Sequence, residues 1–341
     1  MTAPDNQPRS AVDGWLARHA PGYSPPFGWT LVGGGRSNLT YLLCDAAGRT
    51  LVLRRPPAYI DAPGAHDVAR EYRVQRALRD GSAISVPDPI AFCADQEILG
   101  VPFYVMQYVD GTIVRGRAEA ESLNEVARAA ASRAVVSQLA ELHQVPAESV
   151  GLADFGRPGG YLARQLRRWS AQIRADGPAG TALTWAAELL ARDMPPQRSS
   201  ALLHGDYRLD NLVLSGDGQV RAVLDWELST QGDPLTDLGW LLLYWRPPPE
   251  LAALLPGGSE LSGFLDRGEL ARRYAAGTGA DLSDLPYYLA FAAWRLAIIT
   301  LGVQARYRAG AGAGEQLDAD QLSGQVEALA AAALQNLGAS A

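Results

Sequence analysis

The feature that most constrains this chain is a change of texture at Asp110-Gly111. Before that point, short apolar runs alternate with glycine-containing turns; after it, long alanine- and leucine-rich segments take over. Residues 30–32, 39–44, 50–53 and 103–108 read as strands, and the second and third flank the turn Asp45-Ala46-Ala47-Gly48 as a hairpin would. Within residues 65–79, Val68, Tyr72, Val74 and Leu78 fall at roughly helical spacing among charged neighbours, so one helix is inserted into a small sheet. Residues 87–90 read as a loop.

Beyond the boundary, residues 119–143 predict one long helix from composition and length. Gly156 to Gly160 break the chain, and further helices are expected over residues 161–174 and 184–192, after Pro234, and over residues 286–308. A strand, turn, strand unit over residues 211–224 interrupts them, with Ser215-Gly216-Asp217-Gly218 at the turn. Residues 309–314 read as a connector to a terminal helix over residues 316–337. At 341 residues the chain exceeds the usual size of one compact domain. The expectation is an α+β, two-lobed fold: a small antiparallel sheet lobe over residues 1–106 and a mainly helical lobe over residues 107–341.

The content of 48% hydrophobic and 20% charged residues suits a folded protein of enzyme size rather than a disordered chain. A net charge of -7 argues against nucleic acid as the main partner. All 30 basic residues are arginine, so no lysine is available to hold phosphate. Cys44 and Cys93 are too few for a disulfide framework and lack zinc-site spacing. Met1 to Ser10 lack the charged start and apolar core of a signal peptide. The apolar stretches at residues 238–245 and 291–303 are too short, or interrupted by Arg295, to span a bilayer, so a cytoplasmic protein with no membrane partner is expected.

Phosphoryl transfer to a hydroxyl asks a protein to hold reactants in line, neutralise charge and place one carboxylate to accept the hydroxyl proton. His204-Gly205-Asp206 precedes Asn211 with the spacing of the kinase pattern H-x-D-x-x-x-x-N, which assigns Asp206 as base and Asn211 as a magnesium ligand. A hairpin carries the chain on to Asp225, whose carboxylate can face back toward Asn211; two hard oxygen donors there suit magnesium. In Asp225-Trp226-Glu227, Glu227 is either an auxiliary ligand or a helix-proximal charge.

The segments His204 to Asn211, Val223-Leu224-Asp225-Trp226-Glu227 and Gly232-Asp233-Pro234-Leu235-Thr236-Asp237-Leu238 resemble the aminoglycoside phosphotransferase and choline kinase-like family over nearly the whole chain. Together with Arg54-Arg55-Pro56-Pro57 and Ala69-Arg70-Glu71-Tyr72-Arg73-Val74, they are most similar to the kinase-like domains attached to some acyl-CoA dehydrogenases. The resemblance implies a protein-kinase-like fold with ATP between the lobes, magnesium, and a small-molecule hydroxyl as acceptor. It implies a third-strand lysine paired with a helix glutamate; Arg54 and Glu71 stand at those positions, and the arginine fork is longer and wider than an ammonium. It further implies a hinge at Gln107-Tyr108-Val109 whose backbone contacts adenine, and an Asp237 that organises the catalytic loop.

Gly33-Gly34-Gly35-Arg36-Ser37-Asn38 lies between two expected strands, and there Gly35 and Ser37 would let backbone amides approach phosphate; a glycine-rich turn without a ligand is the alternative. His204 reads as an anchor of the loop, and Asp233 as the cap of the helix starting at Pro234. Arg208 meets either a substrate anion or a neighbouring carboxylate. Arg295, on an apolar helix with Tyr287, Tyr288, Phe291 and Trp294, is either a substrate contact or half of a buried ion pair. His143 ends an apolar helix, His19 and His66 lack metal-ligand spacing, and all three read as structural. The acceptor stays open among aminoglycosides, hydroxyacyl compounds including coenzyme A thioesters, choline and sugars. A protein kinase is disfavoured because little chain separates Asp225 from the Pro234 helix, and a non-catalytic nucleotide-binding protein is the remaining alternative.

Overall fold

In the computed structural model, which describes residues 9–33, 38–57, 67–173, 177–252, 255, 257–308 and 319–339, the chain opens with helix α1 (Arg9–His19). Strands β1 (Gly28–Gly33), β2 (Leu39–Cys44) and β3 (Thr50–Arg55) follow, then α2 (Val68–Gly81), β4 (Pro89–Cys93), α3 (Gln96–Leu99) and β5 (Phe103–Gln107). The sheet order is β1-β2-β3-β5-β4, antiparallel throughout. Residues 87–90, expected as loop, run into strand β4; Pro89 is tolerated because it opens an edge strand and has no amide to contribute.

Alternation along β3 sorts its side chains between two small cores. Leu51 and Leu53 pack with Val12, Trp15 and Leu16 of α1, whereas Val52 packs with Tyr104, Met106 and Val68 of α2. The same period sends Arg54 to the α2 side. Arg55 goes to the other, where it lies over the Tyr41 ring.

The second lobe begins with α4 (Arg117–Ser122) and α5 (Glu125–Leu142). The single helix expected over residues 119–143 is thus two, because Asn124 turns the chain and caps α5 by accepting from the Ala127 amide at 2.9 Å. Next come α6 (Tyr161–Ser170), α7 (Gly177–Arg192), β6 (Ala201–Leu203), β7 (Leu212–Leu214), β8 (Val220–Val223) and β9 (Thr230–Gly232). The chain ends in α8 (Leu235–Tyr244), α9 (Pro249–Ala252), α10 (Arg267–Thr278), α11 (Leu285–Arg308) and α12 (Ala319–Asn336). Residues 309–314, read as a connector, lie outside the described residues.

Two short antiparallel pairs frame the site. β7 and β8 form the expected hairpin, and β6 pairs with β9 so that the start of the loop from His204 to Asn211 lies beside Asp233. Helix α11 is the centre of the lobe: the fully buried Trp294 donates to Leu183 O on α7 at 3.0 Å, and the helix also packs against α8 and α12. Contrary to the sequence expectation, Leu285–Ala305 is long and apolar enough to cross a bilayer, with mean hydropathy 1.4; 67% of that apolar window is buried inside the lobe. A core helix meets the same length and composition test.

Candidate active site

The loop from His204 to Asn211 leaves β6 at His204 and is held by groups far away in sequence. Asp237, on the first turn of α8, accepts from the His204 amide at 2.7 Å through one oxygen and from the Gly205 amide at 2.9 Å through the other. His143, at the end of α5, lies 3.3 Å from the same carboxylate and 2.7 Å from the Tyr274 hydroxyl. Burial opposes a charged Asp237, yet His143 and the loop amide hold its carboxyl below the usual carboxylate range. Gly205 has φ +87°, and a Cβ there would sit 2.6 Å from Leu228 O, so this position demands glycine.

His204 is completely buried and links the loop to the hairpin. Its Nε2 donates to Leu224 O at 2.8 Å, which leaves Nδ1 to accept the Asp206 amide at 3.2 Å. Tyr207 pins the next residue inward, donating to Val135 O at 2.8 Å.

Asp206 is thereby presented with both carboxylate oxygens engaged. Trp240 Nε1 donates to Oδ1 at 2.6 Å, Arg208 Nε lies 3.0 Å from the same oxygen, and Asn211 Nδ2 donates to Oδ2 at 3.0 Å. Arg208 also pairs with Asp210 at 2.8 Å and lies over the Tyr244 ring, so its neighbours are loop carboxylates. Because the amide nitrogen of Asn211 is occupied, its Oδ1 is the atom left for a ligand. The Leu224 amide donates to Asn211 O at 2.8 Å, and this closes the hairpin that returns Asp225 to Asn211. Asp225 itself has φ +63°, a left-handed conformation that costs a non-glycine residue roughly 1–3 kcal/mol and is common at ligand sites.

Arg54 connects the two lobes. Its Nε lies 3.1 and 3.2 Å from the two oxygens of Glu71, and its Nη2 donates to Asp225 Oδ1 at 2.9 Å. Burial disfavours the charged guanidinium, but Glu71 and Asp225 outweigh it and raise the Arg54 pKa further. Glu71 is completely buried and also accepts from Asn38 Nδ2 at 3.3 Å. Glu227 adds its charge to the field on Arg54.

These residues open onto a cleft of about 600 Å³ between the lobes, lined by Val52, Arg54, Met106, Asn211, Leu224 and Asp225 among others. Gln107, Tyr108 and Val109 also line it. Among the described residues the Val109 amide meets no protein acceptor. Gly35 and Ser37 lie outside the described residues.

Arg295, expected as a substrate contact or half of a buried ion pair, is buried and forms no salt bridge among the described residues. It donates to Gly205 O at 3.1 Å and is sandwiched between the Trp240 and Trp169 rings, 4.5 and 5.7 Å from their centroids. Asp233 accepts from the Leu235 amide at 3.2 Å and from the Tyr288 hydroxyl at 2.8 Å. Sequence reasoning missed Trp240 and Trp169 altogether and did not connect His143 with Asp237. No local pattern marks them; only the spacing of Asp237 and Trp240, three apart on α8, hints that both face one loop.

Two lobes, an interlobe cleft, and an H-x-D-x-x-x-x-N loop facing a hairpin aspartate define a protein-kinase-like phosphotransferase fold. The chain belongs to the phosphotransferase enzyme family (APH), whose model matches residues 28–279. It is 36% identical over 319 residues to acyl-CoA dehydrogenase family member 11 of Gallus gallus, an alignment covering 89% of this chain and 40% of that protein. The chain therefore spans about two fifths of that relative's length. A solved Ralstonia eutropha structure, described as a candidate aminoglycoside phosphotransferase, superposes with TM-score 0.80 at 29% identity, covering 97% of this chain and 98% of the other. An amicoumacin kinase solved with AMP-PNP and Ca2+ shares the fold with TM-score 0.59 at 17% identity, covering 94% of each chain.

Proposed function

We propose that the chain moves the terminal phosphoryl group of ATP to a hydroxyl of a small molecule with the help of magnesium. The observation that carries this reading is the convergence of Asp206, Asn211 and Asp225 beside a cleft of about 600 Å³. AMP-PNP and a divalent cation in the related amicoumacin kinase support the choice of nucleotide and metal. Asn211 Oδ1 and an oxygen of Asp225 fit magnesium, which takes few protein oxygens and fills its remaining positions with phosphate and water. When bound, the metal would neutralise charge on the transferring phosphoryl group. Arg54 adds a second positive charge from the sheet side, and the hinge backbone offers the Val109 amide to the base.

Asp206 accepts the proton of the attacking hydroxyl. Trp240, Arg208 and Asn211 fix the carboxylate plane, so the acceptor must approach an oxygen whose direction is already set. Arg295 and Asp237 hold the Gly205 peptide from its two ends and keep the base from drifting.

A hydroxy compound bearing an anionic group, as a hydroxyacyl acid or its coenzyme A thioester would, suits the acceptor side better than a polycationic aminoglycoside. A ladder leads away from Asp206: Trp240, then Arg295, then Trp169, with the exposed Arg168 5.5 Å from the Trp169 centroid. Among the described residues neither arginine forms an ion pair with a carboxylate, and both bring positive charge to the ladder. The test is ATP consumption with magnesium against hydroxy acids, their coenzyme A thioesters, aminoglycosides, choline and sugars. Turnover confined to the anionic acceptors, with an acceptor KM raised about threefold to tenfold by Arg168→Gln, is expected. Turnover confined to aminoglycosides would reverse the acceptor assignment, and no phosphorylated product from any of them would remove the kinase reading.

A further inference from the structure

The arginine at the phosphate-clamp position does something that a lysine would not. A lysine presents one compact charge, whereas the arginine fork separates its donors along a fixed plane and can serve two carboxylates at once. In this chain the inner part of the fork, Nε, faces Glu71 at 3.1 and 3.2 Å, while Nη2 donates to Asp225 Oδ1 at 2.9 Å. The two ends differ in how firmly they are held. Glu71 is completely buried on α2 and braced by Asn38, whereas the Asp225 side chain keeps 24% of its surface accessible and, like Arg54, lines the cleft. The inner contact is fixed, and the outer one can be exchanged.

Asp225 is also the oxygen donor that the reading of this site as a magnesium-ATP kinase requires, and the inference rests on that reading. One of its oxygens is held by a cation, and its backbone is in the left-handed region. We propose that Arg54 is a latch on the metal site: it holds Asp225 against the sheet lobe until nucleotide phosphates draw Nη2 away, so that metal and nucleotide load together. A phosphate oxygen is the natural competitor for Nη2, since it offers a guanidinium the same charge-assisted contact as a carboxylate. Releasing Asp225 then returns a carboxylate oxygen for coordination. The coupling is reciprocal, so metal must raise nucleotide affinity by the same factor.

The test titrates Mn2+ and follows free Mn2+ by electron paramagnetic resonance, with and without AMP-PNP, in wild type, Arg54→Lys and Glu71→Gln. Thermal unfolding checks that each protein is folded. Arg54→Lys should tighten nucleotide-free Mn2+ binding roughly tenfold, because an ammonium seated at Glu71 no longer reaches Asp225, and the gain from AMP-PNP should shrink by the same factor. Glu71→Gln, which frees the fork from α2 but leaves it on Asp225, should give nucleotide-free affinity equal to wild type or weaker. Equal nucleotide-free Mn2+ affinity in wild type and folded Arg54→Lys overturns the latch while leaving the kinase reading intact, and so does tighter binding in Glu71→Gln. Failure of wild type to bind AMP-PNP in the presence of Mn2+ overturns both.

Discussion

The catalytic loop and the Arg54 cluster face each other across one cleft, and they are held in opposite ways. The loop is braced from beneath: Asp237 and Trp240 of α8 and Arg295 of α11 bond to it, Tyr207 ties it to α5, His143 holds Asp237, and each of these side chains is nine-tenths or more buried. The Arg54 cluster is three charged side chains from two lobes, with one contact, to Asp225, at the edge of solvent. Under the proposed kinase reading, the side where a proton would leave the acceptor hydroxyl is fixed by many bonds. The side where charged ligands would enter is a small set of charges that could exchange partners.

That contrast predicts a graded series of effects. The largest belongs to Asp237→Asn, which puts an amide where two backbone N–H groups and His143 need a carboxylate; unfolding free energy should fall by roughly 3 kcal/mol at neutral pH. Since the folded pKa of Asp237 lies below its unfolded value of about 3.9, its contribution is complete above about pH 4 and is lost as pH falls through the folded pKa. The gap between wild type and variant, measured by chemical denaturation, should therefore be full at pH 7 and narrow below about pH 4. A gap that widened in acid would show that Asp237 is not held as a carboxylate.

Next is Trp240→Phe. It keeps a ring beneath Arg295 but removes the donor to Asp206 Oδ1, so kcat should fall about tenfold while the nucleotide KM changes little. Steady-state kinetics at saturating acceptor would check it, and a change in nucleotide KM alone would place Trp240 outside the positioning of the base. The smallest effect is expected on the other side of the cleft. Asn38→Ala deletes a 3.3 Å bond to Glu71 that Arg54 largely duplicates, and should cost about 1 kcal/mol or less by thermal unfolding. A loss comparable to that of Asp237→Asn would erase the contrast between the two regions.

The sequence made these regions legible to different degrees. The His204, Asp206, Asn211 and Asp225 spacing is visible because a loop and a hairpin impose it locally, and the sheet lobe is visible because its strands are joined by recognisable turns. The bracing is not visible. His143 lies 94 residues from Asp237 and Gly205 lies 90 from Arg295, and only helix packing brings such pairs together. β6 and β9 were missed because each has only three residues, too few to show alternation. The substitution of arginine for lysine was legible, but its second contact was not, since only the fold places Asp225 171 residues onward at 2.9 Å.

The central claim is that Asp206 takes a proton in phosphoryl transfer to a small-molecule hydroxyl. Its most direct test follows, by 31P nuclear magnetic resonance, the conversion of ATP and an acceptor to ADP and a phosphate monoester by wild type and by Asp206→Asn, with AMP-PNP affinity measured on both. The account predicts monoester formation by wild type, a loss of about 10³-fold in Asp206→Asn, and nucleotide affinity within about twofold of wild type. Undiminished transfer by a folded Asp206→Asn protein would contradict it.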